Sequence, residues 1–164
     1  MPINRGSPEI PLRLLIKGRR PKKVSKLLIR EVVSFATPLL MSKRLLKTLK
    51  LQVVFIPNLL KNEKNIATCE ILENPKHLKI RLDPDVSKNK CIKNLFHELV
   101  HVKQYATGQM KEYIHKPMVR YHGKYYPEDE DEKDYWDSPW EIDAYGREYG
   151  LYYRWDQFLT KKKK

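Results

Sequence analysis

The sequence contains little cysteine, little glycine and no long hydrophobic segment. Only two of its 164 residues are cysteine, Cys69 and Cys91, and six are glycine. Two thiols form at most one disulfide bond, which excludes a disulfide-rich secreted domain and favours a reducing compartment. No apolar segment approaches the roughly 20 residues that cross a bilayer, and the first residues lack the pattern of a secretory signal. We therefore expect no membrane association and a cytoplasmic location, which is the host cytoplasm if a phage encodes the protein.

The composition is that of one globular domain. Apolar residues make up 41% of the chain and charged residues 32%, which excludes a largely disordered protein. The length allows one domain with a hydrophobic core and is too short for two ordinary domains. We expect a single domain over residues 22–160, preceded by a basic extended arm at 1–21 with several prolines, and followed by a lysine tail at 161–164.

Positive charge is concentrated near the amino terminus. The chain has 33 Lys and Arg against 20 Asp and Glu, a net charge of +13, and residues 1–50 hold 13 basic and two acidic side chains. Lysine and arginine that contact phosphates release condensed counterions, so such an excess favours polyanionic partners. The basic region therefore predicts contact with nucleic acid, and a merely solvated basic surface is the alternative.

Hydrophobic periodicity predicts an α+β fold. Apolar residues at three- and four-residue steps, ended by capping residues or proline, predict helices, and short β-branched or alternating segments predict strands. The predicted helices are 22–40, 43–49, 88–107 and 139–159. The predicted strands are 51–57, 65–72 and 77–82. The stretch 109–137 is expected to be irregular, with a hairpin turning at 122–123. Three consecutive strands between helices favour an α+β fold with a small three-stranded sheet.

The most informative motif is His97-Glu98-Leu99-Val100-His101, inside the third predicted helix. Two histidines four residues apart lie on one helical face, one turn apart, at a separation that one zinc ion bridges. Glu98 lies beside them and can reach a zinc-bound water, which is the HExxH arrangement of zinc peptidases. The apolar residues of this helix cover the opposite face, so the histidines are expected to face a cleft. The alternative is a pair of exposed histidines on an ordinary amphipathic helix.

A zinc site needs a third protein ligand, and the extended HExxHxxGxxH pattern does not supply one. Gln104 and Thr107 occupy the positions of its glycine and its last histidine, which excludes the metzincin pattern. The other histidines are His77, before the motif, and His115 and His122, in the irregular stretch. The third ligand is therefore expected from elsewhere in the chain.

Glu141 is the better candidate, because it lies within the apolar stripe of the last predicted helix. A carboxylate in that position is costly unless it is paired, and a zinc ion would pair it. The alternative is a capping box in Ser138-Pro139-Trp140-Glu141, with the glutamate folding back on the serine. Glu148, seven residues further on the same stripe, is a reserve ligand or a hydrogen-bond partner of one histidine.

Two segments carry a resemblance to a known family. HELVHVKQY, followed some forty residues later by SPWEIDAY, resembles the small zinc metallopeptidases predicted in bacteriophages and bacteria and related to the SprT-like group. Those chains typically show HExxHxxQY and then PWExEA. The resemblance covers roughly residues 50–150, and Asp143 stands where the family usually has glutamate.

The resemblance implies a compact zincin fold of the gluzincin type. It implies one Zn²⁺ held by His97, His101 and Glu141, with Glu98 as the catalytic base. The expected architecture is an amino-terminal helix, a small sheet, the HExxH helix, and a carboxy-terminal helix that carries the third ligand.

Three protein ligands leave a fourth position open for water, as in catalytic rather than structural zinc sites. The sequence thus predicts a zinc metallopeptidase that hydrolyses a protein or peptide substrate, with Glu98 as general base and with the basic region as a tether to nucleic acid. An oxyanion donor is expected among the tyrosines and histidines of 105–126, or from Tyr145. An extended peptide is expected beside an exposed strand edge.

Two other functions compete with this prediction. One is a nucleic-acid-binding module in which any zinc is structural, and the other is a phage structural or assembly protein that keeps a zincin fold with little or no activity. Glu98 discriminates between them, because a purely structural zinc site has no need of a carboxylate at that position.

Overall fold

The structure, a computed structural model, describes residues 10–128 and 132–163. Their fold is α+β, with six helices and two sheets in this part of the chain. The helices are α1 (Lys26–Leu40), α2 (Lys43–Leu46), α3 (Leu59–Glu63), α4 (Lys88–Ala106), α5 (Glu132–Asp137) and α6 (Pro139–Lys162). The strands are β1 (Arg13–Lys17), β2 (Lys50–Phe55), β3 (Ala67–Asn74), β4 (His77–Leu82), β5 (Met110–Glu112), β6 (Met118–Tyr121) and β7 (Lys124–Pro127).

The larger sheet has four strands in the order β1-β2-β4-β3. β1, β2 and β4 run parallel, and β3 pairs with β4 in the antiparallel direction. The alternation predicted for β4 is confirmed: Leu78, Ile80 and Leu82 are buried, while the residues between them are partly exposed. β3 ends the strand order, so one of its edges is not paired within this sheet.

Strand β1 corrects the predicted sheet, which had three strands. Arg13–Lys17 falls in the predicted arm, yet it pairs with β2, with Ile16 opposite Val53. Leu12 and Ile16 are only 5% and 6% exposed, so this part of the arm belongs to the core. The remaining arm residues 1–9 lie outside the described residues. A five-residue strand between basic residues and prolines has too short a pattern to be recognised without its neighbouring strand.

The helices begin where their serine caps lie. Ser25 accepts a hydrogen bond from the backbone N–H of Leu28 at 3.0 Å, so α1 begins four residues after the predicted start. Ser42 caps α2, as predicted, and Ser87 caps α4. The short helices α3 and α5 were not predicted. No helix in the described part of the chain combines the length and the apolar character needed to cross a membrane.

Helix α4 is the centre of the fold. It packs against α6 and α1 on the helical side and against β3 and β4 of the sheet. Fourteen of its nineteen residues are buried, because other elements cover nearly all of its circumference. The sequence analysis expected one buried face and one face on a cleft; instead, α6 covers most of the histidine face as well.

The second sheet is antiparallel, in the order β5-β6-β7. The predicted hairpin is confirmed, with β6 and β7 joined at His122 and Gly123. Both turn residues have positive φ, 47° and 79°, as a two-residue type I′ turn requires. Strand β5 follows α4 directly and was missed, because a three-residue strand carries almost no periodicity.

Candidate metal centre

Helices α4 and α6 bring the candidate ligands together. Phe96 and Trp155 meet edge to face with ring centroids 6.4 Å apart, and this contact fixes the two helices against each other. Ala144 is fully buried, and its small side chain lets the helix axes approach closely. As a result, one turn of α4 with two histidines faces the first turn of α6, which carries Glu141.

The three side chains form a compact triangle. The two Nε2 atoms of His97 and His101 are 3.1 Å apart. Glu141 places Oε2 3.2 Å from Nε2 of His97 and Oε1 3.4 Å from Nε2 of His101. A tetrahedral zinc with bonds of 2.0–2.2 Å separates its ligand atoms by about 3.3–3.6 Å. The triangle therefore has nearly the dimensions of one face of a zinc tetrahedron.

A second layer of hydrogen bonds orients both imidazoles. A carboxylate oxygen only accepts, so Nδ1–H of His97 donates to Oε2 of Glu148 at 3.1 Å. The Gln104 amide nitrogen donates to the backbone carbonyl of Trp140 at 3.0 Å, which turns its oxygen toward Nδ1–H of His101 at 2.8 Å. Each ring thus uses Nδ1 as a donor and directs Nε2 into the triangle, as in metal-ligating histidines.

This arrangement fits a metal ion on its own geometry. Two neutral imidazoles oriented in this way direct two lone pairs at each other across 3.1 Å, beside a carboxylate that is 5% exposed. That cluster of acceptors is favourable only if a cation lies among them. Among the described residues, His97, His101 and Glu141 are the one group of three or more His, Cys, Asp or Glu that could hold a metal ion.

The carboxylate of Glu141 is held in its ionised form. Burial by itself would raise its pKa, but hydrogen bonds from His101 and His97 outweigh burial and lower the pKa to about 2. The same contacts act on the rings: burial would lower the pKa of His97, and hydrogen bonds to Glu141 and Glu148 raise it to about 9. The site therefore carries negative charge that stabilises a cation.

Glu98 lies next to the triangle and is 5% exposed. Burial raises its pKa to about 6, and the nearby His101 and His97 limit the rise. The residue points away from the apolar core, because it lines the cavities beside the metal centre rather than the α4–β4 contact. A carboxylate placed there can accept a proton from a molecule in the cavity.

Two cavities flank the triangle. The one that we call the Glu112 cavity measures about 200 Å³ and includes His101 and Glu141 in its wall. The Lys90 cavity, of about 260 Å³, includes His97. Glu98 contributes to both. The two cavities are therefore the halves of one cleft that passes over the candidate metal centre, beside the start of β3.

Tyr135 is a site residue that the sequence analysis missed. It lines both cavities, and its phenol hydrogen-bonds Glu141. The expected oxyanion donors lay in 105–126 or at Tyr145, but the ring of Tyr145 packs on His97 with centroids 4.4 Å apart. Tyr135 follows an acidic run of no clear periodicity, and only its closeness to the SPWE segment could have indicated it.

The remaining predicted residues are separated from the triangle. His77 lies in β4 and pairs with Glu73 at 3.2 Å, while His115 and His122 are exposed. The alternative of two exposed histidines is wrong, because His97 and His101 are each 7% exposed.

Glu148 takes the role of a histidine partner, one of its two predicted roles. The predicted capping box is not what holds the Glu141 carboxylate, whose oxygens face the two imidazoles. Gln104, noted in the sequence only as a departure from the metzincin pattern, proves to orient His101.

Comparisons with known proteins do not extend this description. Neither a family model, a curated protein nor a solved structure matches the chain. What stands on the structure itself is a buried His/His/Glu group on two packed helices, with a fourth carboxylate and a cleft beside it.

Proposed function

We propose that the protein is a zinc-dependent metallopeptidase with a zincin-like catalytic domain. The observation that carries this proposal is the triangle of Nε2 and carboxylate atoms with edges of 3.1–3.4 Å. Three protein ligands leave one coordination position open, and that position belongs to catalytic zinc sites. Cysteine ligands, which are common in closed structural sites, are not part of the triangle.

Each neighbouring residue has a role in peptide hydrolysis. Zinc at this site would lower the pKa of a water molecule and polarise the scissile carbonyl. Glu98 accepts the proton of the attacking water and delivers it to the leaving amine. Tyr135 donates a hydrogen bond from its phenol to the oxyanion that develops on the carbonyl. In the absence of substrate, that phenol hydrogen-bonds Glu141, so it is already positioned at the centre.

Substrate binding follows from the position of β3 beside the cleft. Ala67 begins β3 and lines both cavities. The strand pairs with β4 along one edge and ends the order of the sheet. An extended peptide that adds to the other edge would hydrogen-bond through its backbone and would carry its scissile bond across the metal centre.

The decisive experiment compares metal content and peptide cleavage in the wild type and two variants. Wild type should bind one zinc and cut an unfolded protein substrate. Glu98→Gln should keep the zinc and lose cleavage by at least about 100-fold, whereas Glu141→Ala should lose both. Zinc-loaded Glu98→Gln that cuts as fast as wild type would remove Glu98 as the base and with it the proposed mechanism.

Contact with nucleic acid is a second proposal, supported by the unpaired charge near the amino terminus. Residues 10–50 hold twelve basic side chains and a single acidic one, Glu31. Among the described side chains, only Arg19 of these twelve forms an ion pair, with Asp85 at 2.6 Å. Lys43, Arg44 and Lys47 are exposed on α2.

Because β1 belongs to the sheet, deletion of the whole arm would disturb the fold, and substitution on α2 is the better test. Changing Lys43, Arg44 and Lys47 to glutamine should weaken DNA or RNA binding and reduce its salt dependence by about 0.9 per lost phosphate contact. Unchanged binding would place the interaction elsewhere or remove it.

A further inference from the structure

Charge divides the cleft into two unlike halves. The wall of the Glu112 cavity contains Glu98, Glu112 and Glu141 and no lysine or arginine among the described residues. The Lys90 cavity contains Lys64 and Lys90. The chain as a whole has a net charge of +13, so a cavity lined by acids alone runs against the prevailing charge. A cavity with one sign of charge concentrates ligands of the opposite sign.

Two of these three carboxylates are accounted for by the metal centre. Glu141 contacts both imidazoles, and Glu98 lies beside them. Glu112, at the end of β5, is the remaining one. No ion pair joins it to any other side chain in the described ranges. The nearest lysine in sequence, Lys111, lies over the ring of Tyr113 instead, 5.3 Å from its centroid.

Glu112 is held in place without being neutralised. One of its oxygens accepts a hydrogen bond from the phenol of Tyr105, which is only 5% exposed and belongs to the rigid helix α4. The buried tyrosine anchors the carboxylate at the cavity wall, so little ordering is required when a ligand binds. Asn65 adds an amide to the same wall. The cavity, of about 200 Å³, therefore offers fixed acceptors and no donor cation.

We propose that the Glu112 cavity is a specificity pocket that selects a lysine or arginine side chain next to the scissile bond. The proposal rests on the proposed peptidase function and adds its substrate class: peptides with a basic residue on one side of the cleaved bond. The carboxylate of Glu112 receives the ammonium or guanidinium group. A site that hydrogen-bonds a charged group discriminates strongly against an analogue that lacks it, because the acceptor is then left unpaired.

Cleavage of matched peptides tests the preference. Peptides with blocked termini, which carry no free amine or carboxylate, would differ at one position only: lysine, arginine, the uncharged norleucine, or glutamate. Wild type should cut the lysine and arginine peptides at least about tenfold faster than the norleucine peptide. In Glu112→Gln, which keeps an acceptor for Tyr105, the rates should become equal within about twofold. Glu112→Lys should favour glutamate. Asp156→Asn, an exposed charge change on α6, should keep the wild-type preference.

Binding provides a readout that does not depend on catalysis. Zinc-loaded Glu98→Gln should bind a fluorescent lysine peptide about tenfold more tightly than its norleucine analogue, and the double variant with Glu112→Gln should not distinguish them. Equal binding of the two peptides to Glu98→Gln, or a preference that survives Glu112→Gln, would overturn the pocket. Failure of the wild type to cut any peptide that it binds with this preference would instead refute the peptidase function and leave the pocket supported.

Discussion

Replacing Gln104 with methionine should weaken zinc binding although Gln104 does not touch the metal triangle. The residue is fully buried, and its amide joins α4 to α6 through three contacts: His101 at 2.8 Å, the Trp140 carbonyl at 3.0 Å and Asp143 at 3.1 Å. Methionine has a similar length and fills the space, but it makes none of these hydrogen bonds. The ring of His101 then loses the acceptor that fixes its orientation.

The size of both effects follows from these contacts. Loss of a hydrogen-bond partner behind a metal-ligating histidine costs about 10- to 100-fold in metal affinity, or about 1.4–2.7 kcal/mol. Loss of three hydrogen bonds at about 1 kcal/mol each should lower the free energy of unfolding of the metal-free protein by about 3 kcal/mol. Asp143 keeps its contact with Arg147 at 2.6 Å, so the true loss should lie at or below that figure.

Gln104→Glu separates the two effects. The glutamate still accepts from His101, so zinc affinity should stay within about threefold of wild type. It cannot donate to the Trp140 carbonyl, and it would place a second carboxylate against Asp143, so the unfolding free energy should fall as much as in the methionine variant or more.

Zinc affinity would be measured by competition with a chromophoric chelator, and stability by urea denaturation in the presence of EDTA. If Gln104→Met binds zinc as tightly as wild type, the inferred orientation of His101 is wrong.

Three further predictions concern the metal, the oxyanion and the backbone. Zinc at 1,000 times its Kd should stabilise wild type against urea by about 4 kcal/mol and should stabilise Glu141→Ala far less; equal stabilisation would mean that zinc binds elsewhere. Tyr135→Phe should lower kcat about 100-fold with unchanged zinc content, and unchanged kcat in steady-state assays would exclude the phenol as oxyanion donor. Gly18→Ala should cost at least about 1–3 kcal/mol in urea denaturation, because Gly18 has a φ of 90° and an added Cβ would press on the Phe55 carbonyl; Gly146→Ala, in open space on α6, should be neutral or stabilising, and equal effects of the two changes would contradict this reasoning.

The parts of the fold that the sequence predicted are those with a strong local signal. β4 alternates over six residues, and α4 begins at a serine cap and ends one residue before its predicted end. The HExxH spacing alone places two imidazoles on one side of a helix. Glu141 could be singled out because a charged residue inside an apolar stripe needs a partner. In each of these cases the physical cause lies within a few residues of the chain.

The missed features depend on residues that are distant in the sequence. β1 is recognisable as a strand only from its pairing with β2, 37 residues further along the chain. Tyr135 becomes a site residue only because α5 and α6 bring its phenol to Glu141. Gln104 looked like an ordinary helix residue, and its function depends on the Trp140 carbonyl of another helix. Local periodicity carries no information about such contacts.

Strand β1 has a consequence for how the protein stays monodisperse in a crowded cell. An unpaired strand edge invites another strand, and proteins commonly protect such edges with charged side chains. β1 ends one side of the sheet with Arg13 and Lys17 exposed, so a second copy approaching along that edge would meet charges of the same sign. Aggregation through β1 is thereby discouraged, and the opposite edge of the sheet stays the favoured place for an incoming chain.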